Sequence, residues 1–298
     1  MPTYKKTETP RVGSGDLVDA QDQKIQTMDP NLVAAKRTWN VVRDILRVLV
    51  RLPSPYLTDE DLKRLSIKCT GLDLSTGKPT DGSEMFIRPL SITRIHETLQ
   101  RTRPWVDNPL YPDRWHSPAV DAMDILSCLS GYLHQGEDDG LDLISETDWN
   151  TRGMQYSEGE QLGRWGRYRN GQRAEWEVTT VLDKMDDSTP HVSCLLADDA
   201  LLRDDQLSNA EIWCILAVTN RRLQLPEYHN HRIIPVTVIS ASDKKLRIVQ
   251  GYVDGREGCL QVRRSPILDF EHENIQLIEL VLSWCIGETV GDTKLQSR

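Results

Sequence analysis

Apolar residues recur at spacings of three and four between residues 30 and 51, and this pattern predicts an amphipathic helix. Asp29 supplies an N-cap and Pro30 the first helical residue. The predicted apolar stripe consists of Leu32, Ala35, Trp39, Val42, Ile45, Leu46 and Leu49. The cations Lys36, Arg37, Arg43, Arg47 and Arg51 fall largely on other faces. We expect a solvated basic side; a face that binds a partner, a membrane surface or DNA is the alternative.

Capping signals predict where two further helices begin. Thr58 with Asp61, and Ser208 with Glu211, have the spacing of a capping box. Helical spacing also predicts helices near residues 92–102, from Pro118 to about residue 136, and over residues 275–284.

The period changes to that of a strand between residues 163 and 178. Asn170-Gly171 is a strong signal for a two-residue type I′ turn and predicts a hairpin. Counting outward from this turn pairs Trp165 with Trp176, which gives a self-consistent register.

The same hairpin interleaves basic and aromatic side chains. Arg164, Arg167 and Arg169 alternate with Trp165 and Tyr168, a composition that can bind single-stranded nucleic acid through charge and stacking. Because the chain as a whole is acidic, we expect the aromatic residues to face the core and the arginines to face water, and contact with nucleic acid is the alternative.

The stretch from residue 231 to residue 270 is the most ordered part of the chain, and it predicts a three-stranded antiparallel meander. Its strands are expected at residues 233–239, 246–253 and 259–263. The first strand is nearly all apolar, which indicates burial on both faces, yet Pro235 lacks a backbone donor and requires an edge or a bulge.

These elements predict an α+β fold, with a mainly helical N-terminal half and a C-terminal antiparallel β-meander packed by helices. The expected divisions are a disordered tail over 1–29, a helical region over 30–136, an acidic or polar linker over 137–162, an α+β domain with the hairpin and the meander over 163–286, and a frayed tail over 287–298.

Composition limits the partners. The 298 residues carry a net charge of −9, so the surface as a whole repels nucleic acid and anionic membranes, and we expect a protein as partner. No apolar window is long enough for a membrane span, and no secretory leader is recognisable. The six cysteines are scattered, which is typical of reduced thiols in a cytoplasmic or nuclear protein.

Metal-binding patterns are incomplete. The acidic run over residues 137–142 lacks the alternating carboxylates of a calcium loop. The pairs His191/Cys194 and His229/His231 lack the close ligand spacing of a zinc site. We therefore expect neither a metal nor a cofactor.

One set of residues in the C-terminal third resembles a block shared by uncharacterised filamentous-fungal proteins. It comprises His231, Pro235, Val236, Ser240, Arg247, Ile248, Tyr252, Asp254, Gly255, Leu260, Val262, Arg263, Ser265, Asp269 and Phe270. The resemblance implies a fungal origin and no established activity. Some of those proteins are encoded beside genes of secondary metabolism, which makes an enzyme or accessory factor of such a pathway one alternative.

The order of a helix with Glu211 followed by the meander is also similar to restriction-endonuclease-like nucleases. That chemistry needs an acid on the second strand and an acid-x-Lys pair on the third. Residues 250–252 and 260–262 carry neither, so the resemblance implies at most a degenerate nuclease. Its candidate site residues are Glu211, Asp243, Lys244 and Asp254.

No motif specifies a reaction. We interpret the sequence as that of a non-catalytic intracellular interaction or accessory protein, and leave open whether it has an enzymatic activity.

Overall fold

The computed structural model describes residues 29–101, 117–134, 143–152, 163–167, 173–186, 188–272 and 274–295. Within them lie six α-helices: α1 Pro30–Leu49, α2 Asp59–Arg64, α3 Ile92–Arg101, α4 Pro118–His134, α5 Asn209–Leu223 and α6 Ile275–Cys285. The strands are β1 Ile67–Gly71, β2 Ile87–Arg88, β3 Trp149–Arg152, β4 Gly163–Arg167, β5 Arg173–Lys184, β6 Val192–Asp198, β7 Val236–Ser242, β8 Lys245–Asp254, β9 Cys259–Arg264, β10 Leu268–Asp269 and β11 Glu288–Thr289.

The described part of the chain forms one sheet of nine strands, with a central order of β1-β9-β8-β7-β6-β5-β3. β10 pairs with β8, β4 pairs with β5, and β2 and β11 form a separate ribbon. The pairs β1–β9 and β6–β7 are parallel, whereas the other pairs are antiparallel. The sheet is therefore mixed.

The predicted fold class is wrong for the N-terminal half and for the sheet. Helices do not dominate the N-terminal half, where β1 and β2 also lie. β7, β8 and β9 do pair in succession, but they are the centre of a mixed sheet and not a separate antiparallel meander. β1, from the N-terminal half, adds to β9 in parallel, and β6 adds to β7 in parallel with α5 as the crossover. Parallel pairing joins strands that are distant in sequence, so short-range patterns do not reveal it.

Helices cover both faces of the sheet. On one face, Val42 of α1 and Ile212 of α5 share a core with Val238 of β7. On the other face, Leu126 of α4 and Leu282 of α6 pack in a core that includes the β7 residues Ile239 and Ala241. All seven residues of β7 are buried, and Ile233 and Ile234 before it are buried too, which accounts for the nearly continuous apolar run over residues 233–239.

Proline does not interrupt this strand. β7 begins at Val236, so Pro235 precedes the first residue of the strand, and its carbonyl accepts a hydrogen bond from the Val192 amide at 3.1 Å. The missing donor of proline is thus not needed by the sheet, and the conflict seen in the sequence disappears.

The helix starts are confirmed. Asp29 Oδ1 accepts a hydrogen bond from the Asn31 amide at 2.9 Å, and both predicted capping boxes, at Thr58 and at Ser208, are formed. These signals depend on groups three residues apart or closer, so the sequence shows them directly.

The predicted hairpin register is wrong by one residue. β4 pairs with β5 so that Arg164 lies opposite Trp176 and Trp165 lies opposite Glu175. The turn residues Asn170 and Gly171 lie outside the described part of the chain. Trp176 is buried and packs against Trp213 of α5, with ring centroids 6.3 Å apart. The predicted pairing of Trp165 with Trp176 would shift β4 by one residue and exchange the faces on which its side chains lie.

Two segments expected to be irregular contribute to the fold. β3 lies within the expected linker and pairs with β5, and its Trp149 is fully buried with Nε1 donating to the Gly287 carbonyl at 2.8 Å. β11 lies within the expected tail. None of the described helices has both the length and the apolar character that crossing a bilayer requires.

α1 packs closely on the turn between β8 and β9. A Cβ atom added to Gly255 would lie 2.7 Å from the Thr38 backbone nitrogen, whereas one added to Gly258 meets open space. We predict that Gly255→Ala lowers the free energy of unfolding by roughly 3 kcal/mol, because helix backbone must move. Gly258→Ala, where only the positive φ of 66° is unfavourable, should cost about 1 kcal/mol. Urea unfolding measures both; equal losses would contradict the close packing.

Candidate functional site

A buried ion pair joins α5 to β8. Arg247 donates from Nε to Glu211 Oε1 at 2.7 Å and from Nη2 to Oε2 at 2.5 Å. Both residues are almost completely inaccessible to solvent: the relative exposure is 1% for Arg247 and 0% for Glu211. The two-pronged geometry satisfies both carboxylate oxygens, which a buried ionised group requires.

The remaining bonds of this pair hold the chain around it. Glu211 Oε2 also accepts the Ser208 amide at 2.8 Å, which completes the capping box of α5. Arg247 Nη1 donates to the Arg203 carbonyl at 2.7 Å, in the loop between β6 and α5. Glu211, the first nuclease candidate, is therefore fully engaged in structural bonds.

Asp198 lies beside this pair, at the carboxyl end of β6. Its Oδ1 accepts the Ala200 amide at 3.0 Å, and its side chain is 1% exposed. Burial raises the pKa of Asp198 to about 7, and the neighbouring Glu211 charge adds to this rise. A carboxyl group with this pKa is partly protonated and partly ionised near neutral pH.

The crevice at the carboxyl ends of parallel strands is a common ligand site in open α/β sheets. Here the loop after β6 crosses that position and is attached to the chain before α2. Tyr56 donates to the Leu201 carbonyl at 2.9 Å, and the Arg203 guanidinium stacks 3.7 Å from the Tyr56 ring centroid. The Leu57 amide donates to the Leu207 carbonyl at 3.0 Å. These contacts hold the loop whose Arg203 carbonyl accepts a hydrogen bond from Arg247. The Glu211–Arg247 pair therefore has a structural role.

The structure does not bring the four nuclease candidates together. Asp243 and Lys244 form the turn between β7 and β8, whereas Asp254 is the last residue of β8. β8 has ten residues, which separates these turns by about 30 Å. Asp254 Oδ1 accepts the Arg256 and Glu257 amides at 2.8 and 3.2 Å, so it stabilises its own turn.

The histidines considered for zinc have separate roles. His191 is buried, and burial lowers its pKa to about 4. His229 Nε2 bonds to the Leu223 carbonyl at 3.0 Å, and His231 Nδ1 bonds to Thr293 Oγ1 at 2.8 Å. Cys194 is a buried residue of β6. Among the described residues, no group of three or more His, Cys, Asp or Glu side chains is placed to hold a metal ion.

The candidates for nucleic-acid contact are only partly described. Arg164, Trp165 and Arg167 belong to β4, which pairs with one end of β5, and Arg169 lies outside the described residues. Contact of these residues with nucleic acid stays an untested alternative.

A candidate binding surface lies on the outer side of α1. We use the name basic helix face for the side chains Lys36, Trp39, Arg43 and Arg47, which recur at spacings of three and four, together with Arg51 just after the last residue of α1. Trp39 was predicted to lie in the apolar stripe, but it is 39% exposed, and the Arg43 guanidinium lies 4.9 Å from its ring centroid. Asp44 is the acidic residue among them, with Oδ1 3.4 Å from both Arg43 Nε and Arg47 Nη1.

Helical spacing placed Trp39 on the wrong side because the true stripe is narrower. The buried residues of α1 are Ala35, Thr38, Val42, Ile45 and Leu49, and Thr38 occupies the position next to Gly255 where a large ring would not fit. Thr38 has the helical spacing of the buried residues of α1 although it is polar. This was the signal in the sequence that would have excluded Trp39 from the stripe.

No protein-family model, curated protein or solved structure matches this chain. The resemblance to filamentous-fungal proteins stays a prediction, and the proposals below depend on the geometry of this molecule.

We predict strong coupling between Glu211 and Arg247. Glu211→Gln and Arg247→Met should each lower the free energy of unfolding by about 3–5 kcal/mol, because each leaves an uncompensated buried group. The double variant should lose much less than the sum of the two. Arg88→Met, which breaks the exposed pair with Glu288, serves as a control and should cost less than about 1 kcal/mol. Additive losses in urea unfolding would contradict the coupling.

A second prediction concerns pH. Because the pKa of Asp198 is raised by folding, its ionisation destabilises the folded state increasingly as pH rises from its usual pKa of 3.8 to about 7. Asp198→Asn should therefore raise the free energy of unfolding by a few kcal/mol at about pH 8 and change it little at about pH 4. Asp204→Asn, an exposed change in the loop after β6, is the control. A pH-independent effect of Asp198→Asn would show that its charge is not the cause.

Proposed function

We propose that this chain is a non-catalytic binding protein, an interaction or accessory factor, and that the basic helix face receives an acidic segment of a protein partner. The observation that carries the proposal is the exposed Trp39 ring with the Arg43 guanidinium against it, on a helix side rich in cations. Tryptophan and arginine are the residues most enriched among energetic hot spots of protein interfaces.

The arrangement suits a partner with both charge and apolar surface. Arg47 and Arg51 are exposed near the C-terminal end of α1, and Val50 between them is 59% exposed. Carboxylates of a partner can pair with these guanidinium groups in a two-pronged geometry. Apolar side chains of the same partner can cover Trp39 and Val50.

Charge favours a short acidic protein segment over nucleic acid. The whole chain carries −9, so a long polyanion that extends past α1 meets a repulsive surface. A short segment stays within the range of the local cations, because salt screens charges beyond roughly 8 Å.

The proposal includes an intracellular location and a filamentous-fungal origin. All six cysteines are free, which supports a reducing compartment. The C-terminal residue pattern from His231 to Phe270 supports the fungal origin.

The test measures binding of a short, fluorescently labelled peptide rich in glutamate and leucine to the full chain by anisotropy. Trp39→Ala should weaken binding about tenfold, and Arg47→Glu about fivefold or more. Trp39 is 39% exposed and Arg47 is largely exposed, so each change should lower the free energy of unfolding by about 1 kcal/mol at most in urea unfolding.

Lys78→Glu reverses an exposed cation away from α1 and should bind like the unaltered chain. Equal weakening by Lys78→Glu would indicate a general charge effect and contradict the proposed surface. Tighter binding of a single-stranded oligonucleotide than of the peptide, lost in the same α1 variants, would overturn the choice of a protein partner.

A further inference from the structure

A cleft of about 240 Å³ opens at the other end of the sheet from the Glu211–Arg247 pair. Its position follows from the chain order: Arg232 precedes β7, and Arg256 lies in the turn that follows β8. All the residues that line it carry charge, and they are Glu84, Arg232, Arg256, Asp292 and Lys294.

Hydrogen bonds hold the walls of this cleft in place. The Arg232 amide donates to the Thr293 carbonyl at 2.7 Å, which joins the segment before β7 to the segment after β11. The Asp292 amide donates to Glu84 Oε1 at 2.6 Å, which attaches the segment before β2. Three of the four chain segments that line the cleft are therefore connected to one another.

The cations of the cleft retain unused binding capacity. Among the described residues, no carboxylate forms an ion pair with Arg232, Arg256 or Lys294. Arg232 is half-buried, and its Nε lies out of contact with solvent without a hydrogen-bond acceptor. A buried donor without a partner is unfavourable, so an acceptor near this guanidinium would stabilise the site.

The two carboxylates are already partly engaged. Glu84 accepts the Asp292 amide, and Asp292 Oδ1 accepts the Lys294 amide at 3.0 Å. With three cations against two carboxylates, the cleft has a net positive charge in a chain whose net charge is −9.

We propose that this cleft binds a phosphate group, either as the free ion or as the monoester of a small phosphorylated molecule. Guanidinium groups match phosphate oxygens in a two-pronged geometry, and Lys294 adds a point charge. Glu84 and Asp292 each retain an oxygen that can accept a hydrogen bond from a hydroxyl group of an ester.

Size restricts the ligand further. Pockets for drug-sized ligands enclose about 300–1,000 Å³, so a cleft of about 240 Å³ suits a smaller one. The site does not depend on the proposed function of α1, and the variants that test the two do not overlap.

The test is titration calorimetry and thermal unfolding of the full chain with sodium phosphate and with glycerol phosphate. Sodium chloride at matched ionic strength is the control for screening. We expect both phosphate compounds to raise the melting temperature beyond the effect of chloride. Tighter binding of the ester would identify a small phosphorylated molecule as the ligand, and equal or tighter binding of the inorganic ion would identify free phosphate.

Charge variants locate the binding. Arg256→Gln and Lys294→Gln remove exposed cations and should each weaken phosphate binding about tenfold, with the fold unchanged. Glu84→Gln keeps an acceptor for the Asp292 amide but removes a negative charge, so it should tighten binding up to about fivefold.

Lys78→Gln removes an exposed cation outside the cleft and should bind phosphate like the unaltered chain. An effect of phosphate no larger than that of chloride, or unchanged binding in both Arg256→Gln and Lys294→Gln, would overturn the proposal.

Discussion

The ion pair between Glu211 and Arg247 is the constraint on which much of this structure depends. Two charges without access to water must neutralise each other, and here they do so through two short hydrogen bonds. The pair fixes α5 against β8, completes the cap of α5 through Ser208, and holds the loop after β6 through the Arg203 carbonyl. It thereby stabilises the crossover that makes β6 and β7 parallel.

The ion pair also distinguishes the charged residues that stabilise the fold from those that lie at the surface. Glu211 was one of the nuclease candidates in the sequence, but both of its carboxylate oxygens accept hydrogen bonds from protein groups. Asp254 similarly serves its own turn. Clusters of cations at the surface lie elsewhere, on the outer side of α1 and in the cleft near Arg232 and Arg256. Both surfaces are cationic in an acidic protein, and this contrast makes them stand out.

The candidate sites were harder to predict than the elements that carry them. The basic residues of α1 were visible as a helix face, but the exposure of Trp39 was not. Thr38 is the neighbouring residue that faces the core side, where it lies against Gly255, more than 200 positions away in the sequence. The cleft was not predicted at all. Glu84, Arg232, Arg256 and Asp292 come from four separate segments and form no sequence motif.

The sequence by itself determined the helix starts at Asp29, Thr58 and Ser208 and the succession of β7, β8 and β9, because each depends on groups only a few residues apart. Only the tertiary structure decided the parallel pairing of β1 with β9, the register of Trp176 and the start of β7 after Pro235. Those features depend on how separate segments pack and pair with one another, which the pattern within one segment does not specify.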